Sequence, residues 1–355
     1  MRLILAEDWE LPWHGETFRS RFEELGHQVI PFKFAEYFPR PAGGPLKRLL
    51  RTGLRVQHKL RFGPRVRRVN REFLALAERE KPDAVFLYRA TLLWPSTLER
   101  LHSRGIRVAG YNNDDPFSPL QPRYVWRHLL AGVKHCDVYF AYREANLPRY
   151  RELGCPRSEL LRSFYIREIH RPLTDLGKSP DRCDVSFTGH WEDDGREDAI
   201  AAILEDPSIA FRLHGNMWER GKRFAELSGR CGAITLAYGE EYNRILNSSR
   251  IVLSFLSRLN NDTYTRRNFE IPAAGAFMLS QHSNELASLF KEGAEAEYFR
   301  TTAEMLDKIR FYLKNEDARL RIARAGRERL LRGGHEALDR ARQVVAVLES
   351  LEERS

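Results

Sequence analysis

The sequence predicts an α/β protein made of two facing Rossmann-like domains, each with a parallel sheet, and a helical C-terminal tail. Its 355 residues exceed the length that one hydrophobic core usually spans, so two domains are expected. In both halves, short apolar runs alternate with stretches of helical periodicity, and this alternation is typical of parallel strands covered by helices. From Thr302 onward the pattern is helical almost throughout.

The first half begins with an apolar run at 2–7 that predicts a strand, followed by a helix over 16–26. A second strand is expected from His27. Beyond a basic segment, further apolar runs predict three strands, with a helix between the first two. The strands are expected at 83–90, 106–113 and 137–143, and the helix at 95–105.

Helical and strand periodicity are both lost at 171–183, where Pro, Asp, Gly and Ser gather, and this predicts an interdomain linker. We therefore expect domains at 1–170 and 184–335, and a C-terminal helix at 336–355 that packs back across them. The strands expected in the second half lie at 184–189, 209–215, 233–239, 250–257 and 276–281. Ligands of such sheets bind at the carboxyl ends of the strands, which makes the loops after these runs the candidate sites.

Composition narrows the class of protein and its location. The four cysteines are widely scattered and form no CxxC pair, so neither a disulfide framework nor a metal site is expected. No apolar run approaches the roughly 20 residues of a membrane-spanning helix. The N-terminus turns acidic after six residues, unlike a secretory signal. These features predict a cytoplasmic protein.

The net charge of +9 is unevenly placed, because 37–71 contains eleven Lys and Arg but no Asp or Glu. Such a segment attracts membrane headgroups, a lipid-linked phosphate or nucleic acid, or it forms a solvated helical face. Residues 45–62 mix Leu, Val and Phe with the cations, as a helix lying on a membrane does. We therefore expect peripheral contact with an anionic membrane through 45–71. No aromatic-interleaved RNA motif occurs, so nucleic acid is not expected.

An ordered series of motifs occupies the C-terminal half: RRNFEIPAAGAFMLSQ at 266–281, ELASLFKEGAEAEYF at 285–299 and EMLDKIRFYLKNEDARLRIARAGRERLL at 304–331. The series resembles the CgeB-like branch of GT-B glycosyltransferases, the group with a glycosyl transferases group 1 C-terminal domain. The resemblance implies a GT-B fold in which the C-terminal domain holds a nucleotide-sugar and the N-terminal domain holds the acceptor. The acceptor would be a saccharide, a lipid-linked group or a protein, in surface polysaccharide synthesis or protein glycosylation. No cofactor is implied.

The resemblance also implies donor-binding residues. Glu270 matches the second of two acids, which takes the ribose hydroxyls, and Asp262 stands where the family has the first, a Glu. A carboxylate accepts two hydroxyl hydrogen bonds, although an acid here also suits the start of a helix. Arg266 and Arg196 are the cations expected at the diphosphate, while Arg267 either shares this role or points to solvent.

Three residues at predicted strand ends complete the donor-site candidates. Gly189 and His190 end one strand of the second half, and Gly215 ends the next. A glycine permits close approach of the backbone to a phosphate, which His190 would hydrogen-bond. Ordinary turns at strand ends explain the same residues equally well. The acidic stretches NDD and EDD are not DxD motifs, so no metal site is expected.

The candidate general bases lie in the first half. Asp114 and Asp115, in YNNDDP, follow a predicted strand and would deprotonate the acceptor hydroxyl, or they form an Asx-rich turn before Pro116. His14 follows the first strand and is either a third candidate or part of the loop. Two rival functions remain: a GT-B nucleotide-sugar epimerase, and a non-catalytic binding protein that uses its basic face.

Overall fold

The computed structural model describes residues 1–8, 12–39, 43–175 and 182–351. The chain divides into two compact units. Unit 1 comprises Met1–Arg162 and the helix that begins at Ala337, and unit 2 comprises Ser163–Glu336. Residues 176–181 of the predicted linker lie outside the described residues.

Unit 1 contains six parallel strands within the part of the chain that the structure describes. The strands are β1 (Arg2–Glu7), β2 (Gln28–Lys33), β3 (Ala84–Tyr88), β4 (Arg107–Asn112), β5 (Val138–Ala141) and β6 (Ser158–Leu160). The helices are α1 (Pro12–Glu24), α2 (Pro45–Leu60), α3 (Pro64–Glu80), α4 (Pro95–His102), α5 (Arg123–Gly132) and α6 (Leu147–Glu152). The sheet order is β2-β1-β3-β4-β5-β6.

The register of the unit 1 sheet explains its apolar strands. Leu3 of β1 lies opposite Val29 of β2 on one side and Ala84 of β3 on the other. All five residues of β3 are buried, as expected for a parallel strand covered by helices on both faces. The strand order reverses between β1 and β3, so the crevice beyond their carboxyl ends is the ligand position that this topology favours.

Unit 2 contains five parallel strands within the described residues. They are β7 (Cys183–Thr188), β8 (Phe211–His214), β9 (Ser249–Ser254), β10 (Met278–Gln281) and β11 (Glu297–Phe299), in the order β11-β10-β9-β7-β8. The helices are α7 (Arg196–Leu204), α8 (Phe224–Cys231), α9 (Gly239–Ser248), α10 (Arg267–Ala273), α11 (Asn284–Leu289), α12 (Thr302–Lys314) and α13 (Glu316–Arg332). The chain returns to unit 1 with α14 (Ala337–Glu349), which packs on α1.

The predicted α/β class with two parallel sheets is confirmed, but three details of the strand assignment are wrong. Residues 233–238 form an irregular segment rather than a strand, and α9 begins at Gly239. The backbone N–H of Gly215 donates a hydrogen bond to the carbonyl oxygen of Thr235 in this segment, while Leu236 and Tyr238 are 44% and 45% exposed. The prediction missed β6 and named no strand at β11, because three residues are too few to show a periodicity.

Candidate functional site

The strand order of unit 2 reverses between β7 and β9, which makes the loops after these strands the favoured ligand position. A hydrogen bond of 2.6 Å joins the two loops, donated by the Ser257 hydroxyl to Glu192. The His190 ring lies 2.7 Å from the same carboxylate. Burial alone would raise the pKa of Glu192, but the contact with His190, the charge of Arg196 and the hydrogen bond from Ser257 lower it to about 2.

Arg196 follows this loop at the start of α7 and is only 1% exposed. Its guanidinium forms an ion pair of 2.5 Å with Asp194 and lies 3.6 Å from Glu192. It also donates a hydrogen bond of 2.7 Å to the carbonyl oxygen of His190. Through these contacts Arg196 packs against the loop after β7 and stabilises its conformation. The geometry favours this positioning role over the predicted direct contact with a diphosphate.

Glu270 lies in α10, which the loop after β9 leads into, and it is 7% exposed. Its Oε1 atom lies 2.5 Å from Nε of Arg266 and 3.5 Å from Nε2 of His170. The ring of Tyr242 packs edge-on against His170, at a centroid distance of 6.0 Å. We call these four side chains the Glu270 cluster. Burial alone would raise the pKa of Glu270, but nearby positive charge, foremost that of Arg266, holds it below its ordinary value.

Sequence reasoning missed two members of the Glu270 cluster. His170 directly precedes the predicted linker, and Tyr242 lies within a helical stretch that carried no motif. Neither residue stands near Glu270 in the sequence, so local spacing gave no signal for them. Only the folding of unit 2 brings them to the carboxylate.

His170 is held neutral, because its Nδ1 atom accepts a hydrogen bond of 3.0 Å from the backbone N–H of Ile166. Burial lowers its pKa from 6.5 to about 4. We therefore expect the free energy of unfolding to fall by about 3 kcal/mol between pH 6.5 and pH 4, because over this range the unfolded chain binds a proton that the folded chain resists.

Urea unfolding of wild type and His170→Gln across this pH range measures the effect. The stability advantage of wild type over the variant should shrink as the pH falls. Parallel pH profiles for the two proteins would contradict the neutral assignment of His170.

Arg267 is a better placed cation than the sequence indicated. Its guanidinium lies over the ring of Phe187 in β7, at 5.5 Å from the centroid. A Cβ added at Gly189 would lie 3.3 Å from Nη1 of Arg267, so this head group stands beside the end of β7. Within the described ranges, Arg267 has no ion-pair partner, whereas Arg266 is paired with Glu270. The geometry thus favours Arg267 over Arg266 as the cation available to a ligand.

Gly215 is required by a close approach between the loops after β7 and β8. A Cβ at Gly215, where φ is +144°, would lie 1.8 Å from the carbonyl oxygen of Gly189. That oxygen also accepts a hydrogen bond of 3.0 Å from the Trp218 indole. Backbone packing therefore accounts for Gly215, whereas a Cβ at Gly189 would lie 2.6 Å from the ring of Phe187. The predicted contact of both glycines with a phosphate stays a prediction.

Asp262 lies in the loop between β9 and α10, where it shapes a turn. Its backbone N–H donates to the carbonyl oxygen of Ser257 at 2.9 Å, and its carboxylate lies 3.4 Å from the Ser257 nitrogen. Asn268 holds the start of α10 against the sheet. Its side-chain amide donates hydrogen bonds to the hydroxyls of Ser254 in β9 and Ser280 in β10, at 3.2 and 3.0 Å. Sequence reasoning did not single out Asn268, because a buried amide of this kind carries no motif.

In unit 1, the structure gives the two candidate aspartates different surroundings. Asp115 is buried, and its Oδ1 atom accepts hydrogen bonds from the Phe117 backbone at 3.0 Å and from Asn146 at 3.2 Å. This is the geometry of an Asx turn. Asp114 forms an ion pair of 2.8 Å with Arg89, which follows β3. Both carboxylates thus have structural partners, and their predicted role as bases stays a prediction.

His14 lies in the first turn of α1, beside the switch point of the unit 1 sheet. Its ring stacks on Tyr88 at a centroid distance of 5.1 Å, and its Nδ1 atom lies 3.9 Å from Oε1 of Glu7. Asp8, which carries no sequence motif, directly follows β1. Burial raises the pKa of Asp8, against the charges of Arg89 and Arg61.

The described residues contain neither a cluster of metal ligands nor a membrane-spanning helix. No group of three or more His, Cys, Asp or Glu side chains is placed to hold a metal ion. No helix in the same residues has both the length and the apolar character needed to cross a bilayer.

Residues 196–346 match a family described as glycosyl transferase-like. Among curated proteins, none matches the chain in sequence.

Solved structures match over nearly the whole length. Anabaena HepE, solved with UDP and glucose, has a TM-score of 0.68 at 11% identity, covering 99% of this chain and 100% of its own. Sucrose-phosphate synthase from Thermosynechococcus elongatus has a TM-score of 0.70 at 10% identity, with 98% of each chain covered. A putative UDP-N-acetylglucosamine 2-epimerase from Listeria monocytogenes has a TM-score of 0.60 at 11% identity, covering 98% and 96%.

These structural similarities show that the chain has the GT-B fold. The segment at 196–346 adds a match in sequence, and it contains Glu270, Arg266 and Arg267. The glycosyl transferase-like segment and the GT-B fold together identify the enzyme class of this chain as glycosyltransferase.

Proposed function

We propose that the enzyme transfers a sugar from a nucleotide-sugar donor to an acceptor hydroxyl. The observation that carries the proposal is the glycosyl transferase-like match over 196–346, which spans α10 and the Glu270 cluster residues on it. The similar Anabaena structures hold UDP, UDP with glucose, or UDP-glucose, and they make a uridine nucleotide the first choice of donor. The CgeB-like branch, and a role in surface polysaccharide synthesis or protein glycosylation, are part of this proposal.

Unit 2 would hold the donor beyond the ends of β7 and β9. Glu270 would accept hydrogen bonds from the ribose hydroxyls, with Arg266 keeping the carboxylate ionised. Arg267, beside Gly189, would neutralise the diphosphate as the glycosidic bond breaks, since a guanidinium suits bidentate phosphate contacts. Asp262 lies on the loop between β9 and α10 and would face the sugar.

Unit 1 would hold the acceptor beyond the ends of β1 and β3. Among the predicted bases we favour His14, because Glu7 lies near its Nδ1 atom and would orient the ring. The Nε2 atom would then take the proton from the acceptor hydroxyl. Asp114 and Asp115 would support the site through the contacts described above.

Calorimetric titration with UDP-, GDP-, TDP- and CMP-sugars tests the donor assignment. We expect one nucleotide class to bind in the micromolar range, and we favour UDP. Incubation with the bound sugar nucleotide and candidate acceptors, followed by detection of released nucleotide, tests transfer. Absence of binding by all four classes would refute the proposal.

A second candidate function is epimerisation of a nucleotide-sugar. The similarity to the putative UDP-N-acetylglucosamine 2-epimerase of Listeria monocytogenes is the observation that favours it. Incubation with UDP-N-acetylglucosamine without acceptor separates the two reactions. Conversion to a second UDP-sugar would support the epimerase, whereas a requirement for acceptor supports transfer.

We also propose that α2 contacts an anionic membrane surface. Apolar side chains on this helix face solvent, and Leu49 is 70% exposed. Leu60 and Phe62 are exposed at the other end of the helix, at 47% and 60%. Exposed apolar side chains beside cations are the features of helices that lie in a membrane interface.

Flotation with phosphatidylglycerol vesicles tests this contact. We expect wild type to float with the vesicles, and Leu49→Ser/Leu60→Ser to remain mostly in solution. Leu331→Ser, which alters an exposed leucine of α13 in unit 2, is the control and should behave as wild type. Wild type that stays in solution would overturn the membrane proposal.

A further inference from the structure

A cavity of about 620 Å³ in unit 1 lies between α2 and the ends of the first two strands. Asp8 and Ala35 line it from the strand ends, and Phe38 lines it from the segment after β2. The volume falls within the range of small-molecule sites. This cavity is distinct from the Glu270 cluster, which belongs to unit 2.

Three cations of α2 line the cavity: Arg51, Arg55 and Lys59. Their spacing of four residues places them in one row on the helix, about 12 Å from first to last. None of the three has an ion-pair partner within the residues that the structure describes. Elsewhere on unit 1 helices, acids neutralise arginines at this spacing, as Glu72 does for Arg68.

Among the described residues, the lining contains one carboxylate, that of Asp8, and it forms no ion pair with this row. The positive charges that act on Asp8 are those of Arg89 and Arg61, and neither residue lines the cavity. Within the described part of the chain, the lining thus presents three cations without an ion-pair partner, together with apolar surface from Phe38, Leu54 and Val56. Such a lining suits an anion that carries a less polar group.

We propose that this cavity binds a phosphate-bearing acceptor, with Arg51, Arg55 and Lys59 holding the phosphate. The proposal rests on the glycosyltransferase function and names the substrate class of its acceptor site. A soluble sugar phosphate and a lipid-linked phosphate share this chemistry. The row is long enough to contact more than one phosphate group, so a diphosphate is an informative probe.

Titration of inorganic pyrophosphate into the full chain, with UDP present in excess, tests the proposal. We expect Arg51→Ala/Arg55→Ala to weaken pyrophosphate binding by about tenfold or more, because charge-assisted hydrogen bonds are lost. The matched control is Lys47→Ala/Arg48→Ala, which removes two positive charges from exposed residues of α2 outside the cavity lining. The control should bind pyrophosphate nearly as wild type does.

Equal weakening in both double variants would overturn the proposal, because it would indicate a diffuse charge effect. Retained binding in Arg51→Ala/Arg55→Ala would overturn it as well. Titration of UDP alone into each variant separates this test from that of the glycosyltransferase function. If UDP still binds and the loss of Arg51 and Arg55 leaves pyrophosphate binding unchanged, only the proposal for the cavity is refuted.

Competition distinguishes the two sources of phosphate. Displacement of pyrophosphate by glucose 6-phosphate would support the proposal with a soluble sugar phosphate as acceptor. Displacement only by phosphatidylcholine vesicles that carry undecaprenyl phosphate would support it with a lipid-linked acceptor. Displacement by phosphatidylcholine vesicles without that lipid would overturn the assignment of the cavity to a phosphate.

Discussion

We expect Glu270→Gln to weaken nucleotide binding by about 100-fold, because the loss of charge-assisted hydrogen bonds to two ribose hydroxyls costs a few kcal/mol. Glutamine keeps the size of the side chain but removes the negative charge opposite Arg266. Calorimetric titration with the donor nucleotide measures the affinity, and circular dichroism checks the fold.

A second buried acid of unit 2 provides the control. Glu297 is also buried and paired, with Lys308 at 2.7 Å and the Tyr312 hydroxyl at 2.5 Å. It is the first residue of β11, so it lies at the amino end of the parallel strands, whereas the donor position lies beyond the carboxyl ends of β7 and β9. Glu297→Gln should therefore lose stability without losing affinity. If both variants lose affinity to the same extent, the effect of Glu270 is structural and its proposed contact with ribose is wrong.

We expect Arg196→Met to lower the free energy of unfolding by about 3–5 kcal/mol, because it leaves buried carboxylates without their cation. Asp194 and Glu192 are the groups concerned. The double variant Arg196→Met/Asp194→Asn should recover part of the loss, since one of the uncompensated charges is then removed. Urea unfolding measures both variants.

Arg223 is the matched control for Arg196. It pairs with Glu226 at 2.8 Å, but its side chain is 33% exposed, so solvent screens the interaction. Arg223→Ala should therefore change the free energy of unfolding far less than Arg196→Met does. If Arg196→Met instead keeps wild-type stability and abolishes nucleotide binding, Arg196 contacts the ligand directly and is not a positioning residue.

Local patterns in the sequence were sufficient for most of the fold. Apolar runs of four or five residues, as in β1 and β3, predicted buried parallel strands because such strands are covered on both faces. The helices after Thr302 were predicted because their helical periodicity extends over many residues. The prediction of a strand at 233–239 was wrong, because an apolar run alone does not specify a pairing partner. These residues remain outside the sheet.

The candidate site was predicted less well, because side-chain partners come from distant parts of the chain. The motif at 266–281 identified Glu270, but His170 reaches it from 100 residues away. From the sequence, Arg266 was predicted before Arg267 as the cation that contacts the diphosphate. Only the geometry shows that Arg266 is paired with Glu270, while Arg267 lies over the ring of Phe187.

The sequence by itself determined the α/β class, the basic character of α2 and the position of Glu270 at an apolar helix, because each depends on neighbouring residues. The tertiary structure alone decided which charges are neutralised. Arg196 is buried among carboxylates, whereas Arg51 and Arg55 line a cavity without a counter-ion among the described residues. Coulombic pairing depends on distance in space, and the distances between these side chains are fixed only when the sheets and helices pack.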